Sequence, residues 1–286
     1  MAAKKIAGVL GATGSVGQRF ILLLADHPDF ELRVLGASHR SAGKKYIDAV
    51  NWKQTDLLPE FATDIVVSEC KADQFSECDI VFSGLDADYA GAIEKEFVEA
   101  GLAVVSNAKN YRRESDVPLV VPIVNPEHLD LISAKIEKSG KRGFIVCISN
   151  CSTAGLVAPL KPLVEKFGPI DALTTTTLQV ISLRFKNRPA PALEDVKQCL
   201  REYVCDAYKL GCHSAPKQTI HLLEQNDRPQ PRLDRNRDAG YGVSVGRVRE
   251  DPVLDFKMVV LSHNTVIGAA GAGILIAEIL LAKKLI

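Results

Sequence analysis

Short apolar runs alternate with stretches of helical periodicity through the first half of the chain. The runs are nearly continuous in apolar residues, which is typical of parallel strands covered on both faces. The predicted strands are residues 5–10, 32–37, 64–67, 79–83, 102–106, 118–124 and 144–148. Helical spacing follows the first strand and recurs in residues 89–100 and 126–138. This alternation predicts an α/β fold with a Rossmann-type doubly wound parallel sheet.

The second half of the chain has a different pattern. Residues 170–181 are rich in β-branched side chains and predict one strand, and residues 192–210 have the periodicity of one amphipathic helix. Residues 225–237 are polar and predict a loop whose charges are solvated. Two further strands, 241–248 and 254–262, precede a final helix over 266–285. We therefore predict a second, α+β domain over residues 150–263, with the Rossmann domain formed by residues 1–149 and completed by the final helix, 264–286.

Composition narrows the class of protein. The 286 residues carry a net charge of zero, which gives no reason to expect a nucleic acid or an anionic membrane as partner. The apolar run 266–282 is shorter than the about 20 residues that span a bilayer and includes Glu278, so it predicts a core helix. The seven cysteines have no zinc-site spacing, and the start of the chain leads directly into a strand without the pattern of a signal peptide. We expect no metal site and a reducing, cytoplasmic compartment.

A glycine-rich loop, Gly11-Ala-Thr-Gly-Ser-Val-Gly17, directly follows the first strand and opens the first helix. In that context glycines allow a tight turn and a close approach of the backbone to a pyrophosphate. The loop predicts a dinucleotide site, with an ordinary glycine-rich turn as the alternative. The predicted cofactor contacts here are Gly11, Thr13, Gly14, Ser15, Val16 and Gly17, with Ser83 at the end of another strand.

The end of the second strand indicates which dinucleotide is bound. Enzymes that use NAD usually place a carboxylate there for the ribose hydroxyls. This strand end has none and offers Ser38, Arg40 and Ser41, which suit a 2′-phosphate. The sequence therefore favours NADP, with a solvated surface arginine as the alternative interpretation of Arg40.

Cys151 is the candidate nucleophile. The buried strand 144–148 ends at Ser149-Asn150, and helical spacing begins after Cys151, although Pro159 and Pro162 predict short or kinked first turns. A thiol at a helix N-terminus experiences the positive end of the helix dipole, which favours the thiolate. The alternative is a buried structural cysteine.

Several motifs together resemble the aspartate-semialdehyde dehydrogenase family, most closely its fungal and archaeal branch. They are Gly11–Gly17, Ser38-His-Arg-Ser41, Ser106-Asn-Ala-Lys-Asn-Tyr-Arg112, Ser149-Asn-Cys-Ser-Thr153, Gln179 and Ser262-His-Asn-Thr-Val-Ile-Gly-Ala-Ala270. The resemblance implies NADPH-dependent reduction of aspartyl 4-phosphate to aspartate semialdehyde with release of phosphate, a step of threonine, methionine and lysine synthesis. It also implies a homodimer formed through the second, catalytic and dimerisation domain.

The resemblance assigns roles to individual residues. Cys151 forms the acyl thioester, Gln179 orients the substrate, and Arg112 and Asn150 bind it, Arg112 through the phosphate. Asn264 and Thr265 match the segment near the nicotinamide. Without the resemblance, Arg112 would be read as a surface ion pair, Gln179 as a polar strand end, and Asn264 and Thr265 as a helix cap.

One block of the family pattern is missing after Ser182. The family there carries a glycine loop, substrate-binding Glu, Lys and Arg residues, and the catalytic histidine in an Asp-Gly-His-Thr pattern. None of the six histidines of this chain lies in that pattern, although His213 and His221 are candidates to replace it. The second domain is therefore expected to be reduced in size. Two alternatives stay open: an impaired, truncated form that binds NADP and dimerises, and a reductase of another acyl phosphate such as N-acetylglutamyl phosphate.

Overall fold

The computed structural model describes residues 3–140, 142–176 and 179–286. The strands are β1 Lys5–Leu10, β2 Phe30–Ala37, β3 Ser68–Glu69, β4 Ile80–Ser83, β5 Ala103–Ser106, β6 Leu119–Val120, β7 Phe144–Ile148, β8 Ile170–Thr175, β9 Val180–Phe185, β10 Ile220–Leu223, β11 Val243–Glu250 and β12 Phe256–Leu261. The α-helices are α1 Ser15–Leu24, α2 Tyr46–Ala49, α3 Glu60–Thr63, α4 Ala87–Glu99, α5 Asp130–Ser139, α6 Cys151–Phe167, α7 Leu193–Glu202, α8 Asp206–Lys209, α9 Pro231–Asp234 and α10 Gly271–Ala282. Single turns of 3-10 helix cover Ala72–Phe75, Pro126–Leu129 and Arg237–Gly240, and a π-helical turn covers Val266–Ala270.

Two compact units divide the chain. The first consists of Met1–Ser149 with Ala269–Ile286, and the second of Asn150–Gly268. Among the described residues, the first unit contains a seven-stranded parallel sheet in the order β3-β2-β1-β4-β5-β7-β6. The doubly wound parallel sheet predicted from the apolar runs is confirmed.

The last helix belongs to the core of the first unit. Helix α10 is buried along most of its length and packs on α1 and β5. Gly273 allows this close approach, because a Cβ there would lie 2.8 Å from the ring of Phe20. The one carboxylate of α10, Glu278, lies 2.9 Å from Nε2 of His27, so its burial is matched by a partner. The prediction of a core helix is confirmed, and no helix of the described residues is long and apolar enough to cross a membrane.

Two predicted strands of the first unit differ from the structure. Residues 64–67 form only an isolated bridge, between Val66 and Lys45, and the strand that joins the sheet is β3 directly after them. Residues 118–124 contribute only the two residues of β6. Residues 118–124 are buried or half-buried, but in 64–67 Val66 is exposed, so apolar composition reports neither burial of every residue nor which residues find a ladder partner.

The second unit is built on a five-stranded sheet, counted over the described residues, in the order β10-β11-β12-β9-β8. Pairing is antiparallel except between β10 and β11. Helices α6 and α7 pack on each other and on this sheet. Alternate residues of β9 and β12 are buried and half-buried, so one face of the sheet is covered and the other is partly open.

Residues 170–181 form a hairpin instead of one strand. Strands β8 and β9 pair antiparallel, and the turn between them includes Gln179 in the left-handed region, with φ 58°. The amide nitrogen of Gln179 donates to the carbonyl oxygen of Thr176 at 2.7 Å, which closes the turn. The run of threonines gives no local signal of this turn. Thr177 and Leu178 lie outside the described residues.

The long helix predicted over 192–210 is also divided. Helix α7 ends at Glu202 and the single turn α8 follows, so Val196 and Leu200 are fully buried while Tyr208 is exposed. The amide of Cys205 donates to Oγ1 of Thr219 at 2.9 Å between the two helices. This bond to a distant residue replaces the helical one, which periodicity alone does not predict.

Charges in the polar segment 225–237 are not all solvated, contrary to the sequence prediction. The side chain of Asp234 is fully buried and accepts hydrogen bonds from Arg228, from Arg237 at 3.1 Å and from the amide of Gln230 at 2.8 Å. These hydrogen bonds, from Arg228 above all, hold the pKa of the Asp234 carboxyl well below its usual range. The segment is thus a loop with the short helix α9 around a buried ion cluster.

Candidate active site

The glycine-rich loop of the first unit leaves the start of α1 open to an anion. Gly11 has φ 70°, and the amide of Gly14 donates to its carbonyl oxygen at 2.9 Å, so the chain turns tightly between β1 and α1. Gly17 packs directly on the backbone of Gly11, where any Cβ would clash. Helix α1 has no side-chain cap and no acidic residue in its first turn. Its free N–H groups and dipole therefore suit a pyrophosphate.

A buried glutamine fixes this loop. The Gln18 side-chain amide donates to the carbonyl oxygens of Thr13 and Asn51, at 2.9 and 3.0 Å, and its oxygen accepts from the amide of Lys53 at 2.7 Å. The hydroxyl of Tyr46 donates to the carbonyl of Ala12 at 2.7 Å. Neither residue was predicted from the sequence, because the burial of a polar group against a distant segment leaves no local signal.

A cavity of about 510 Å³ opens at the end of β2. Ser38 and Arg40 line it, as predicted for the ribose phosphate, whereas Ser41 is not among its lining residues and donates its amide to the carbonyl of Ser38. Ser83 also lies outside the lining. It is fully buried at the end of β4, where its carbonyl accepts from the amide of Asn107 at 3.0 Å.

The neighbouring strand brings a carboxylate to the same place. Ala37 at the end of β2 pairs with Glu69 of β3, and Glu69 lines the cavity with Lys71. The prediction of a strand end without a carboxylate is correct for β2 itself but incomplete for the site. Glu69 was not predicted from the sequence because it belongs to a strand of only two residues.

Arg112 is held by carbonyl oxygens. One terminal nitrogen of its guanidinium donates to the carbonyl of Asn107 at 2.9 Å and to that of Ser149 at 3.3 Å. Within the described residues it forms no ion pair with a carboxylate, and its Nε is buried without a hydrogen bond. The surface ion pair considered as an alternative is therefore not what the structure shows, and the guanidinium keeps its charge for an anion.

Cys151 is the first residue of α6, in the second unit. Asn150 is the N-cap, and its Oδ1 accepts from the amide of Ser152 at 3.1 Å. The helix continues through Pro159 and Pro162 to Phe167. The prediction that these prolines make the start of the helix short is therefore wrong. Cys151 is half-buried, whereas Cys147 is buried. Burial raises the pKa of the Cys147 thiol to about 12.

Gln179 lies over the first turn of α6. Its Nε2 donates to the carbonyl oxygen of Ser152 at 2.7 Å, one residue after Cys151. Gly155 leaves room for this side chain, because a Cβ there would lie 2.5 Å from Oε1 of Gln179. Left-handed backbone at a residue other than glycine costs on the order of 1–3 kcal/mol and clusters at functional sites.

The turn before α10, Val266–Ala270, also packs against Cys151. A Cβ on Gly268 would lie 2.9 Å from the carbonyl oxygen and 3.1 Å from Cβ of Cys151. This segment therefore packs closely on the backbone of Cys151 within the second unit.

A second cavity, of about 420 Å³, surrounds Gln179 in the second unit. Its polar lining is Ser152, Gln179, Arg235, Ser262, His263, Asn264 and Thr265. Asn264 and Thr265 are the residues predicted to lie near the nicotinamide, whereas Arg235 and His263 were not predicted as site residues. The amide of Thr265 donates to Nδ1 of His263 at 3.3 Å.

His213 and His221, the candidate replacements for the family histidine, do not line this cavity. Nε2 of His221 lies 2.6 Å from Oδ2 of Asp238, in a pair on another part of the sheet.

Comparison with known proteins follows the same division of the chain. Residues 6–132 match the family described as semialdehyde dehydrogenase, NAD binding domain, and residues 178–267 match the semialdehyde dehydrogenase, dimerisation domain. The chain is 66% identical to the aspartate-semialdehyde dehydrogenase of Saccharomyces cerevisiae and 63% identical to that of Candida albicans, in each case over 100% of both chains. It is also similar to a crystal structure of aspartate semialdehyde dehydrogenase with NADP from Candida albicans, with a TM-score of 0.95, 63% identity, and coverage of 99% of this chain and 100% of that one.

The alignment is also longer than this chain. The alignment with the Saccharomyces cerevisiae enzyme runs over 365 positions, which exceeds the 286 residues of this chain by 79. At least that many positions of the alignment have no residue here. The similarity nonetheless extends over both units, and it does not favour either alternative, the impaired form or a reductase of another acyl phosphate.

Proposed function

Because this chain belongs to the aspartate-semialdehyde dehydrogenase family, we propose that it catalyses the NADPH-dependent reduction of aspartyl 4-phosphate to aspartate semialdehyde and phosphate. The observation that carries the proposal is the position of Cys151 as first residue of α6, with Asn150 as N-cap and Gln179 over the same turn. A nucleophilic cysteine at a helix N-terminus is the group that acyl-phosphate chemistry requires.

The cysteine carries the covalent step. Sγ of Cys151, as thiolate, attacks the acyl carbon, the carbon–oxygen bond to phosphate breaks, and phosphate leaves with the electron pair. The product is a thioester on Cys151. Reduction of its carbonyl carbon by a hydride then breaks the carbon–sulfur bond, which releases the aldehyde and restores the thiolate. The positive end of the α6 dipole, at Cys151, favours the oxyanion that forms in both steps.

The neighbouring residues position the substrate. Gln179 is held by the carbonyl of Ser152, so its oxygen is available as an acceptor for the substrate amine or another donor. Asn150 fixes the turn that carries Cys151. Arg112, which no carboxylate neutralises among the described residues, binds the phosphate of the substrate.

The first unit fits NADP. The loop for the pyrophosphate consists of Gly11, Thr13, Gly14, Ser15, Val16 and Gly17. The cavity for the 2′-phosphate has Ser38, Arg40 and Ser41 at or beside it, and Ser83 ends the central strand. The nicotinamide is proposed to be served by Asn264 and Thr265. NADP supplies the hydride when bound in its reduced form. The Candida albicans relative solved with NADP supports this choice of cofactor.

Oligomeric state and compartment belong to the same proposal. A homodimer is supported by the match of residues 178–267 to a dimerisation domain and by the partly open face of the second sheet. A reducing cytoplasmic compartment is supported by the seven cysteines, an odd number, none of which forms a disulfide in the described part of the chain.

The experiment is a steady-state assay with aspartate semialdehyde, NADP and phosphate, on protein whose mass matches 286 residues. Cys151→Ala is the control and should abolish turnover while it keeps NADP binding. Turnover that survives this substitution, or wild-type turnover with N-acetylglutamate semialdehyde in place of aspartate semialdehyde, would overturn the proposal.

A further inference from the structure

The cavity at the end of β2 holds both signs of charge. Arg40 and Lys71 contribute cations, Glu69 contributes a carboxylate, and His39 lies beside them. A ribose 2′-phosphate is attracted by the cations and repelled by the carboxylate, whereas a free 2′-hydroxyl is an ordinary partner for a carboxylate. An unpaired carboxylate of Glu69 would therefore oppose a 2′-phosphate and suit a free 2′-hydroxyl.

The backbone places Glu69 for contact with a ribose. Its register partner is Ala37, the last residue of β2, so it lies one strand away from the position that a carboxylate occupies in NAD enzymes. The amide of Glu69 donates to Oε1 of Gln74 at 3.0 Å, which fixes the strand end. Glu69 is thus a competent partner for ribose hydroxyls unless another group engages it.

Lys71 is that group. Its Nζ lies 2.6 Å from Oε2 of Glu69, and its amide donates to the carbonyl oxygen of Glu69 at 2.9 Å, so the two residues form a closed turn. The hydrogen bond and charge of Lys71 lower the pKa of Glu69, and the same contact raises the pKa of Lys71, so both groups are ionised at neutral pH.

We propose that Lys71 determines the preference for NADP over NAD by holding Glu69 in an ion pair at the rim of the cofactor cavity. Paired in this way, Glu69 neither repels the 2′-phosphate nor binds the 2′-hydroxyl, and Arg40 and Ser38 meet the phosphate without an opposing charge. This inference rests on the proposed function, because it assumes that the cavity binds the ribose of NADP.

The test is cofactor binding by titration calorimetry, which does not depend on turnover. Lys71→Met keeps the length of the side chain and releases Glu69. We expect its affinity for NADP to fall about tenfold and its affinity for NAD to rise, since one close charge interaction changes binding by about that factor. The matched control is Lys95→Met, which removes an equal charge from an exposed pair with Glu99 on α4 and should leave both affinities unchanged.

A double variant separates the mechanism from a simple loss of positive charge. Glu69→Gln combined with Lys71→Met removes both partners and should restore most of the NADP affinity. If the double variant binds NADP as weakly as Lys71→Met alone, Lys71 acts on the phosphate directly and the proposal is overturned. Unchanged affinities in Lys71→Met also overturn it, while the proposed function stands. Wild-type protein that binds no NADP overturns both.

Discussion

Nε2 of Gln179 donates to the carbonyl oxygen of Ser152 at 2.7 Å, and this bond joins the turn of a β-hairpin to the first turn of the helix that begins with Cys151. The hairpin places Gln179 in left-handed backbone, so the contact is kept at the cost of local strain. Because of this strain, the side chain and the backbone of Gln179 affect different quantities, turnover and stability, which variants at this position can measure separately.

Gln179→Ala and Gln179→Gly form a matched pair for that separation. Both variants lose the bond to Ser152, so we expect turnover to fall about 10²-fold in each, as for a misplaced substrate. Only glycine removes the strain at φ 58°, so the glycine variant should be more stable than the alanine variant by about 1 kcal/mol. Urea unfolding and steady-state kinetics measure the two effects. Equal stability of the variants would show that the left-handed backbone is not strained.

Cys151 should react with limiting iodoacetamide faster than the other cysteines at neutral pH. Burial raises the pKa of Cys78 and of Cys147 to about 12, and it also raises the pKa of Cys70 and Cys199, so these thiols are protonated. Peptide mapping after partial labelling identifies the site. Cys151→Ser is the control and should lose most of the early label, whereas first labelling at Cys199 or Cys205 would refute the assignment.

Turnover of this chain should be at least about a hundredfold below that of the Saccharomyces cerevisiae relative. The Asp-Gly-His-Thr pattern is absent from the sequence, and loss of a general base costs on the order of 10²–10⁴ in rate. Parallel assays of the two proteins under identical conditions, each with verified mass, give the ratio. Equal rates would show that another group of this chain takes the proton.

Glu94 makes stability depend on pH. It is fully buried on α4, and burial raises the pKa of its carboxyl even though Ser106 donates a hydrogen bond to it at 2.7 Å. A raised pKa in the folded state means that the folded protein binds the proton more tightly than the unfolded chain. Stability is therefore lost as pH rises from the ordinary pKa of glutamate through the raised one.

Glu94→Gln should remove that loss. The amide keeps an oxygen for Ser106 and carries no charge. We therefore expect the variant to be more stable than the parent at pH 8. At pH 5 we expect it to be no more stable than the parent. Urea unfolding at the two pH values measures the difference. Glu99→Gln, on the exposed side of the same helix, is the control and should follow the parent at both.

Local sequence signals predicted the centre of the candidate site well. The apolar run of β7, the capping residue Asn150 and the helical spacing after Cys151 are all contiguous, and the structure reproduces the strand and the start of the helix at the predicted residues. The glycine loop between β1 and α1 was predictable for the same reason, since each of its constraints lies within one turn of chain.

Residues that reach a site through pairing of distant segments were not predictable. Glu69 enters the cofactor cavity only because β3 pairs with β2, and Arg235 lines the cavity of Gln179 from a segment that composition marked as a solvated loop. The buried charge of Asp234 likewise depends on Arg228 and Arg237 folding over it. Composition measures polarity, but it does not report which polar groups satisfy one another.

The position of α10 has a consequence for synthesis on the ribosome. The sheet of the first unit is made from the first 149 residues, yet the helix buried against it is made from the last ones. While the chain emerges, α1 and β5 keep the apolar surface that α10 covers exposed until residues 271–282 leave the exit tunnel, and residues 150–268 leave it earlier. The second unit should therefore become protease-resistant first on stalled nascent chains, and early resistance of the first unit would show that its sheet does not need α10.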